Sequence, residues 1–313
     1  MSKNPVQFQK GMSDDDFERH DGSEKQCWDA LVALRWSTGF SCPHCGGDKH
    51  SFIEARKLFQ CSTCRSQTSL TAGTIFHSTK LPLKTWFRAI FHITQTKGGI
   101  SSLELARRLG VHQNTAWKVS HKLMQVVLER EAERPLTGNV EMDDAYIGGK
   151  RRGKRGRGAA GKIPFVAAVQ TTHEHKPELM KLRPVSGFTL EAIDKVIPSI
   201  LRGKCRVATD GLRCFTAVAR HGFTHVPISI RFNKSARDST FKWVNTVLGN
   251  VKSALDGTYR AISGKHVPRY LSSFAYRFNR RFTLPTMLAR LAYVALRTPP
   301  MPYWLLKLAE HCV

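Results

Sequence analysis

Two adjacent carboxylates stand at the centre of an apolar, strand-like run, Val140-Glu141-Met142-Asp143-Asp144-Ala145-Tyr146-Ile147-Gly148-Gly149-Lys150, and a basic glycine-rich stretch follows at once. A carboxylate projecting from the middle of a strand is held rigidly and ligates a hard divalent cation, while flanking Lys and Arg draw in a polyanion. A further carboxylate, Asp210, closes the short run Arg206 to Thr209 and precedes Gly211. Taken alone, Asp-Gly is an ordinary turn; it gains a chemical meaning only if its strand lies beside the first in one sheet. Farther along, Asn245 and Lys252 stand seven residues apart in a stretch of helical period. That spacing puts both on nearly one side of a helix, two turns apart and away from most of the apolar stripe of Trp243, Val244, Val247, Leu248, Val251 and Leu255. Successive strand residues face opposite ways, so only one of Asp143 and Asp144 is expected to face such a site, and periodicity does not choose between them.

A second constellation is independent of the first. Cys42-Pro43-His44-Cys45 and Cys61-Ser62-Thr63-Cys64, with fifteen residues between them, are two Cys-x-x-Cys knuckles. Each knuckle brings two thiolates to one tetrahedral ion, which predicts a zinc ribbon with Cys42, Cys45, Cys61 and Cys64 as ligands and its strands within Ser51 to Gln60. A closed four-sulfur site leaves zinc no open position for substrate, so the expected role is structural. His44 is expected at the surface and Cys27 in a core. The chain has eight cysteines. No N-terminal leader is apparent, which predicts a reducing, cytoplasmic setting and argues against a disulfide framework. The most apolar late segment, Leu284 to Leu296, is interrupted by Arg290 and too short to span a bilayer, so no membrane partner is expected.

The elements that must position these groups are legible in outline. Ser23 to Trp36 reads as an amphipathic helix. Pro82 opens another, Leu83 to Thr96, which Gly98-Gly99 ends. Ile100 to Val126 has the pattern of a helix-turn-helix: Ser101 and Glu104 as a capping box, an apolar face of Leu103, Ala106 and Leu109, a turn at Gly110-Val111, and a second helix from Gln113. Asn114, Thr115, Lys118 and His121 are expected on its outer side, where a recognition helix reaches base edges and phosphates. Pro135 to Gly138 marks entry to the last domain, with strands at 139–147, 163–172, 179–185, 206–209 and 225–230 and helices at 190–201 and 241–255. Four segments follow: an N-terminal helical segment, 1–37; the ribbon, 38–72; a helical DNA-binding domain, 80–132; and 133–313, which carries the acidic residues. The expected fold class is therefore α+β and multidomain.

Charge narrows the partner. The formal net charge is +25, with 19 basic against 4 acidic residues from residue 201 onward. Such a surplus opposes compaction unless a polyanion neutralises it, so nucleic acid is the expected partner. Arg151, Arg152, Lys154, Arg155 and Arg157 are expected to meet phosphates. A basic ribosome-associated protein fits the charge as well, but leaves the ordered acid positions unexplained.

Met142-Asp143-Asp144-Ala145-Tyr146-Ile147-Gly148-Gly149-Lys150, Thr209-Asp210-Gly211, Trp243-Val244-Asn245 with Lys252, Gly257-Thr258-Tyr259-Arg260, Tyr270-Leu271 and Tyr276-Arg277-Phe278-Asn279-Arg280-Arg281, preceded by the ribbon, resemble the transposases of insertion sequence family 1595. The resemblance covers nearly the whole chain and lies in the order and spacing of the motifs. It implies a ribonuclease-H-like catalytic domain with a mixed sheet and a triad of the Asp-Asp-Glu class, here Asp143, Asp210 and Asn245. Asn stands where many relatives carry Glu; one branch has Asn followed by Lys seven residues on, as at Lys252. The implied chemistry is cleavage and joining of DNA strands at terminal inverted repeats, assisted by two Mg²⁺ ions held by Asp143, Asp210 and Asn245, with double-stranded repeat and target DNA as substrates and a homo-oligomer assembled on DNA. An Asn amide oxygen is a weaker hard ligand than a carboxylate, so weaker metal binding is expected rather than inactivity. The alternative function is a zinc-ribbon and helix-turn-helix DNA-binding regulator whose transposase-like domain has lost catalysis.

Overall fold

The computed structural model describes residues 10–148, 161–228, 240–259 and 262–309. Arg151, Arg152, Lys154, Arg155 and Arg157 lie outside the described residues. The chain forms two compact units, one of Met1–Thr96, Ile100–Val126 and Phe282–Val313, the other of Lys97–Gly99 and Val127–Arg281.

The first unit opens with α1 (Asp14–Asp21) and α2 (Glu24–Arg35), each started by a capping box on Ser13 and Ser23. A three-stranded antiparallel ribbon follows, β1 (His50–Ile53), β2 (Leu58–Cys61) and β3 (Gln67–Ser69), in that order. Its core is aromatic: Phe59 meets Trp36 at 4.6 Å, Phe52 at 5.0 Å and Phe40 at 6.0 Å between ring centroids. The Arg35 guanidinium donates to the carbonyls of Leu70 and Ala72, tying α2 to the chain that leaves the ribbon. Next come α3 (Leu83–Gln95), α4 (Ser102–Leu109) and the start of α5 (Gln113–Ala132). The N-cap of α3 is Pro82, which offers no side chain; Glu24 caps it instead, accepting from the Leu83 and Lys84 N–H groups at 2.8 and 2.9 Å. No helix among the described residues is long and apolar enough to cross a membrane.

The segments 1–37, 38–72 and, apart from Lys97–Gly99, 80–126 all fall within this unit. The last domain was expected to run to residue 313, but residues 282–313 join the first unit. The reason is α10 (Met287–Ala295), whose buried Met287, Leu288, Leu291 and Ala292 form an apolar face, the helix packing on α2 and α3. An apolar helix announces that it is buried, not which core it serves. It is followed by α11 (Tyr303–Leu308).

The second unit is built on a mixed five-stranded sheet with strand order β6-β5-β4-β7-β8. The strands are β4 (Leu136–Ile147), β5 (Ile163–Thr171), β6 (Pro177–Pro184), β7 (Leu201–Thr209) and β8 (Thr224–Pro227). Strand β4 is central, antiparallel to β5 and parallel to β7. Both of its faces are covered at its centre, where the consecutive residues Val140, Glu141 and Met142 are all buried. Val140 and Met142 pack with Val166, Ala168 and Val207 beneath α6 (Leu190–Ile200) and α7 (Ala217–Arg220). Ala145 packs on the opposite face with Phe165, Ala167 and Val169 beneath α8 (Lys242–Thr258) and α9 (Val267–Asn279). The far end of α5 is held here: Lys181 on β6 is buried and donates to the carbonyls of Glu131 and Ala132, while Asn279 and Arg280 donate to the Glu131 carboxylate.

Candidate active site and zinc ribbon

Register explains how two acids 67 positions apart in the chain meet. Met142 on β4 lies beside Thr209 at the last pairing with β7. One residue on, β7 has ended, and Asp210 stands at the open flank of β4 next to Asp143. The carboxylate oxygens of Asp143, Asp144 and Asp210 all lie within 4.8 Å of one another, and all three residues are half-buried. The Leu212 N–H donates to Asp210 Oδ1 at 3.0 Å, an Asx turn in which Gly211 takes a left-handed φ of 79°. Asp143 Oδ1 accepts the Asp144 N–H at 2.8 Å. Three carboxylates this close, partly shielded from water, repel one another unless cations compensate them, and their hard oxygens suit Mg²⁺.

Only one of the paired acids was expected near such a site, yet both are there. Their side chains leave opposite faces, but both are short and both lie beyond the last β7 pairing, so that β4 is flanked by β5 on one side and by no paired residue of β7 on the other. Parity still distinguishes them. Asp143 shares the face of Glu141 and Ala145, which is the face that α8 covers, and Asp144 has the parity of Met142.

Helix α8 carries Asn245 and Lys252. Its apolar stripe, Val244, Val247, Leu248, Val251 and Leu255, is buried on the sheet, and Asn245 and Lys252 are both exposed. The helix is not capped locally, because Phe241 at the N-cap is a buried aromatic with no hydrogen-bonding side chain. Its cap is Glu141, whose Oε2 accepts the Trp243 and Val244 N–H groups at 3.0 and 2.8 Å. Burial pushes the Glu141 carboxyl up to about 7 against the opposing pull of those two backbone bonds.

At the ribbon, the Cys42 and Cys64 sulfurs are 3.6 Å apart, as are those of Cys45 and Cys61. Four sulfurs around one tetrahedral zinc, with bonds of about 2.3 Å, stand about 3.8 Å apart, so the cluster is sized for that ion. Backbone N–H groups of the knuckle turns favour thiolate. Those of Cys64 and Thr63 bring Cys61 down to about 6, and those of Cys45 and His44 lower Cys42. His44 is exposed and outside the cluster, and Cys27 is fully buried, both as expected.

Residues 135–279 match the family described as the ISXO2-like transposase domain, and residues 22–67 match the transposase zinc-ribbon domain. Together the two matches span more than half of the chain. The chain belongs to the insertion sequence 1595 transposase family. A relative is the "Uncharacterized protein in transposable element ISH50" of Halobacterium salinarum, 27% identical over 213 residues that cover 62% of this chain and 69% of the relative. A solved structure, the crystal structure of a pre-cleavage Mos1 transpososome, is similar over 66% of this chain and 76% of that chain, at 11% identity and a TM-score of 0.20, too loose a likeness to argue from.

In this transposase-family chain the helix pair differs in detail from its sequence reading. Ser101 accepts the Glu104 N–H at 3.1 Å, a single cap, and Gly110 turns the chain at φ 65°. The buried face of α4 is Leu105 and Ala106, with Leu103 exposed at 48%. On α5, Asn114 and Lys118 are exposed and Thr115 is half-buried. His121 is not on the outer side; it is buried and stacked on Trp117 at 4.0 Å. The Lys118 ammonium sits 4.6 Å from the centre of the Tyr303 ring, an α11 residue that sequence spacing could not connect to it. Glu141 is the site residue that sequence reasoning passed over. Its signal was an acid at a buried parity of a strand covered on both faces.

Proposed function

We propose that this chain is a DNA transposase that binds the terminal inverted repeats of an insertion sequence and performs metal-dependent strand cleavage and strand transfer. The observation that carries the reading is the convergence of Asp143, Asp144 and Asp210 at the end of neighbouring parallel strands. The helix bearing Asn245 and Lys252 packs on the Asp143 face of the same sheet. A strand order in which three antiparallel strands are continued by two parallel ones supports a ribonuclease-H-like catalytic domain. Asp143, Asp210 and Asn245 would hold Mg²⁺, with Asp144 beside them. Bound there, the cation polarises a phosphoryl oxygen and favours the ionised form of the attacking hydroxyl.

The chain's own residues set up the rest of the reaction. The Asx turn at Leu212 fixes Asp210, and the sheet fixes Asp143, so the acids are organised before DNA arrives. Lys252, two turns beyond Asn245, is placed to neutralise a phosphate of the bound strand end. In the first step a water oxygen loses a proton and forms a bond to phosphorus as the bond to the 3′-oxygen breaks and that oxygen takes up a proton. In the second the freed 3′-hydroxyl loses its proton and forms a bond to a target phosphorus as that phosphorus's bond to the target strand's 3′-oxygen breaks, the leaving oxygen being protonated in turn. The helix pair α4 and α5 serves as a helix-turn-helix, with Asn114, Thr115 and Lys118 reading DNA, and Arg151, Arg152, Lys154, Arg155 and Arg157 supply phosphate contacts. The four cysteines hold structural zinc.

The test is cleavage of labelled repeat-end DNA across a Mg²⁺ titration, with binding of the same DNA measured in Ca²⁺. Cleavage that depends on Mg²⁺ and on both Asp143 and Asp210 supports the proposal. Binding of the repeats with no cleavage at any Mg²⁺ concentration turns the reading to a DNA-binding regulator.

A further inference from the structure

We infer that Glu141 is a positioning residue of the candidate active site: from the strand that carries Asp143 it sets the first turn of the helix that carries Asn245. The inference rests on the reading of Asp143, Asp210 and Asn245 as one site. A helix leaves its first N–H groups without internal partners, and elsewhere in this chain Ser13, Ser23, Ser101 and Thr189 satisfy them locally. Helix α8 has Phe241 at that position, and Phe241 belongs to the core cluster. The Trp243 and Val244 N–H groups are met instead by the Glu141 carboxylate, reaching across 102 and 103 positions of sequence at 3.0 and 2.8 Å.

What separates this cap from Glu24 on α3 is its two neighbours. Glu141 stands two residues before Asp143 on one strand face, and Val244 immediately precedes Asn245. One side chain therefore joins the backbone of one candidate ligand to that of another. It is 7% exposed, so water neither screens nor replaces these bonds, and a carboxylate accepting N–H groups at a helix N-terminus is among the stronger hydrogen-bonding arrangements. Trp243 is pinned a second time through its indole N–H to the His175 carbonyl. The first turn of α8 is thus held from strand β4 and from the β5–β6 connection. A change in the length of residue 141 moves Asn245 relative to Asp143, whereas a change in its charge at constant length does not.

The experiment measures Mn²⁺ affinity of the full chain by titration calorimetry, without DNA, for wild type, Glu141→Gln, Glu141→Asp, Asn245→Ala and the double variants, recording unfolding temperatures alongside. Glu141→Gln keeps an acceptor oxygen at the same reach and should lose about threefold or less. Glu141→Asp keeps the charge but withdraws it by one carbon and should lose about tenfold, as outer partners of metal ligands do. Neither change should weaken binding further once Asn245 is Ala.

The reverse order, Asp tolerated and Gln not, overturns the inference, since Glu141 would then act by its charge. Wild-type affinity in Glu141→Asp with an early unfolding transition overturns it too, leaving only a structural cap. Full additivity with Asn245→Ala does the same. If Glu141→Asp does not fold, the loss in Glu141→Gln must still vanish in the Asn245→Ala background. Asp143→Ala is the control for the underlying reading: if it binds Mn²⁺ like wild type, the site itself is misassigned and the inference falls with it. A failure confined to Glu141 leaves Asp143→Ala still defective.

Discussion

Asp143 on β4 and Asp210 just past the end of β7 bring their carboxylates within 4.8 Å of each other, with Asp144 beside them. Asp143→Ala and Asp210→Ala are each expected to reduce strand cleavage by a hundredfold or more, on the order of losses at shared catalytic groups, with DNA binding in Ca²⁺ nearly unchanged. Asn245→Ala should impair cleavage strongly. Asn245→Glu restores a carboxylate and should keep activity at a lower Mg²⁺ requirement. Asp144→Ala is expected to be milder than Asp143→Ala, because only Asp143 has the parity of the face beneath α8. Cleavage across a Mg²⁺ titration checks all five; full activity in Asn245→Ala removes that residue from the site. A separate residue-scale outcome concerns His92, buried in α3 with its Nε2 atom lacking a hydrogen-bond partner among the described residues. Burial, aided by Arg108 and Arg88, depresses its pKa from 6.5 to about 4. As pH falls below 6.5 the unfolded chain binds a proton that the folded chain refuses, so stability is lost progressively down to about 4. His92→Phe should flatten that acid-side loss, seen as a smaller difference between unfolding temperatures at pH 5 and 7.5.

At the scale of elements, the proposed function assigns base reading and phosphate contact to different parts of the chain. Asn114 and Lys118 stand exposed at the start of α5, and five of the seven residues from 151 to 157 are basic. Reversing charge at Arg151, Arg152, Lys154, Arg155 and Arg157 should weaken binding to all sequences and flatten its salt dependence, since phosphate contacts release counterions without reading bases. Changing Asn114 or Lys118 should shift preference among DNA ends, and competition binding with scrambled repeats separates the two effects; finding them exchanged shows the reading helix to be misplaced. The order of strands and helices in the second unit was legible because periods of 2 and 3.6 are local properties of the chain. Strand β7 is the instructive departure. It begins at Leu201 instead of 206: Leu201 pairs with Leu136, and the exposed Arg202 to Lys204 form an irregularity before pairing resumes between Cys205 and Gly138, so no regular alternation marks this end of the strand. The neighbouring positions of Asp143 and Asp210, and the Glu141 contact to α8, depend on register between strands and on which face a helix covers. Neither is written in any single segment, which is why periodicity could not choose between Asp143 and Asp144.

For the whole molecule, the division into two units sets how far a local loss should spread. The zinc ribbon shares its unit with α2, α3 and α10, and its aromatic core includes Trp36 and contacts Trp28. The carboxylates belong to the other unit. A structural zinc site contributes folding free energy where its ligands are, because the thiolates converge only in the folded ribbon. Removing the metal with a strong chelator, or replacing Cys61 by Ser, should therefore expose backbone amides of residues 40–70 to hydrogen exchange and shift the emission of Trp28 and Trp36 toward that of exposed indole. Strands β4, β5 and β7 should remain protected, since their core clusters draw on no residue of the ribbon. End recognition should weaken, whereas cleavage of DNA supplied at saturating concentration should survive in part. Purified chain with no stoichiometric zinc, or a Cys61→Ser variant that exchanges and binds repeats like wild type, removes zinc from the ribbon's account. Loss of protection in β4 on chelation would instead show that the two units fold as one.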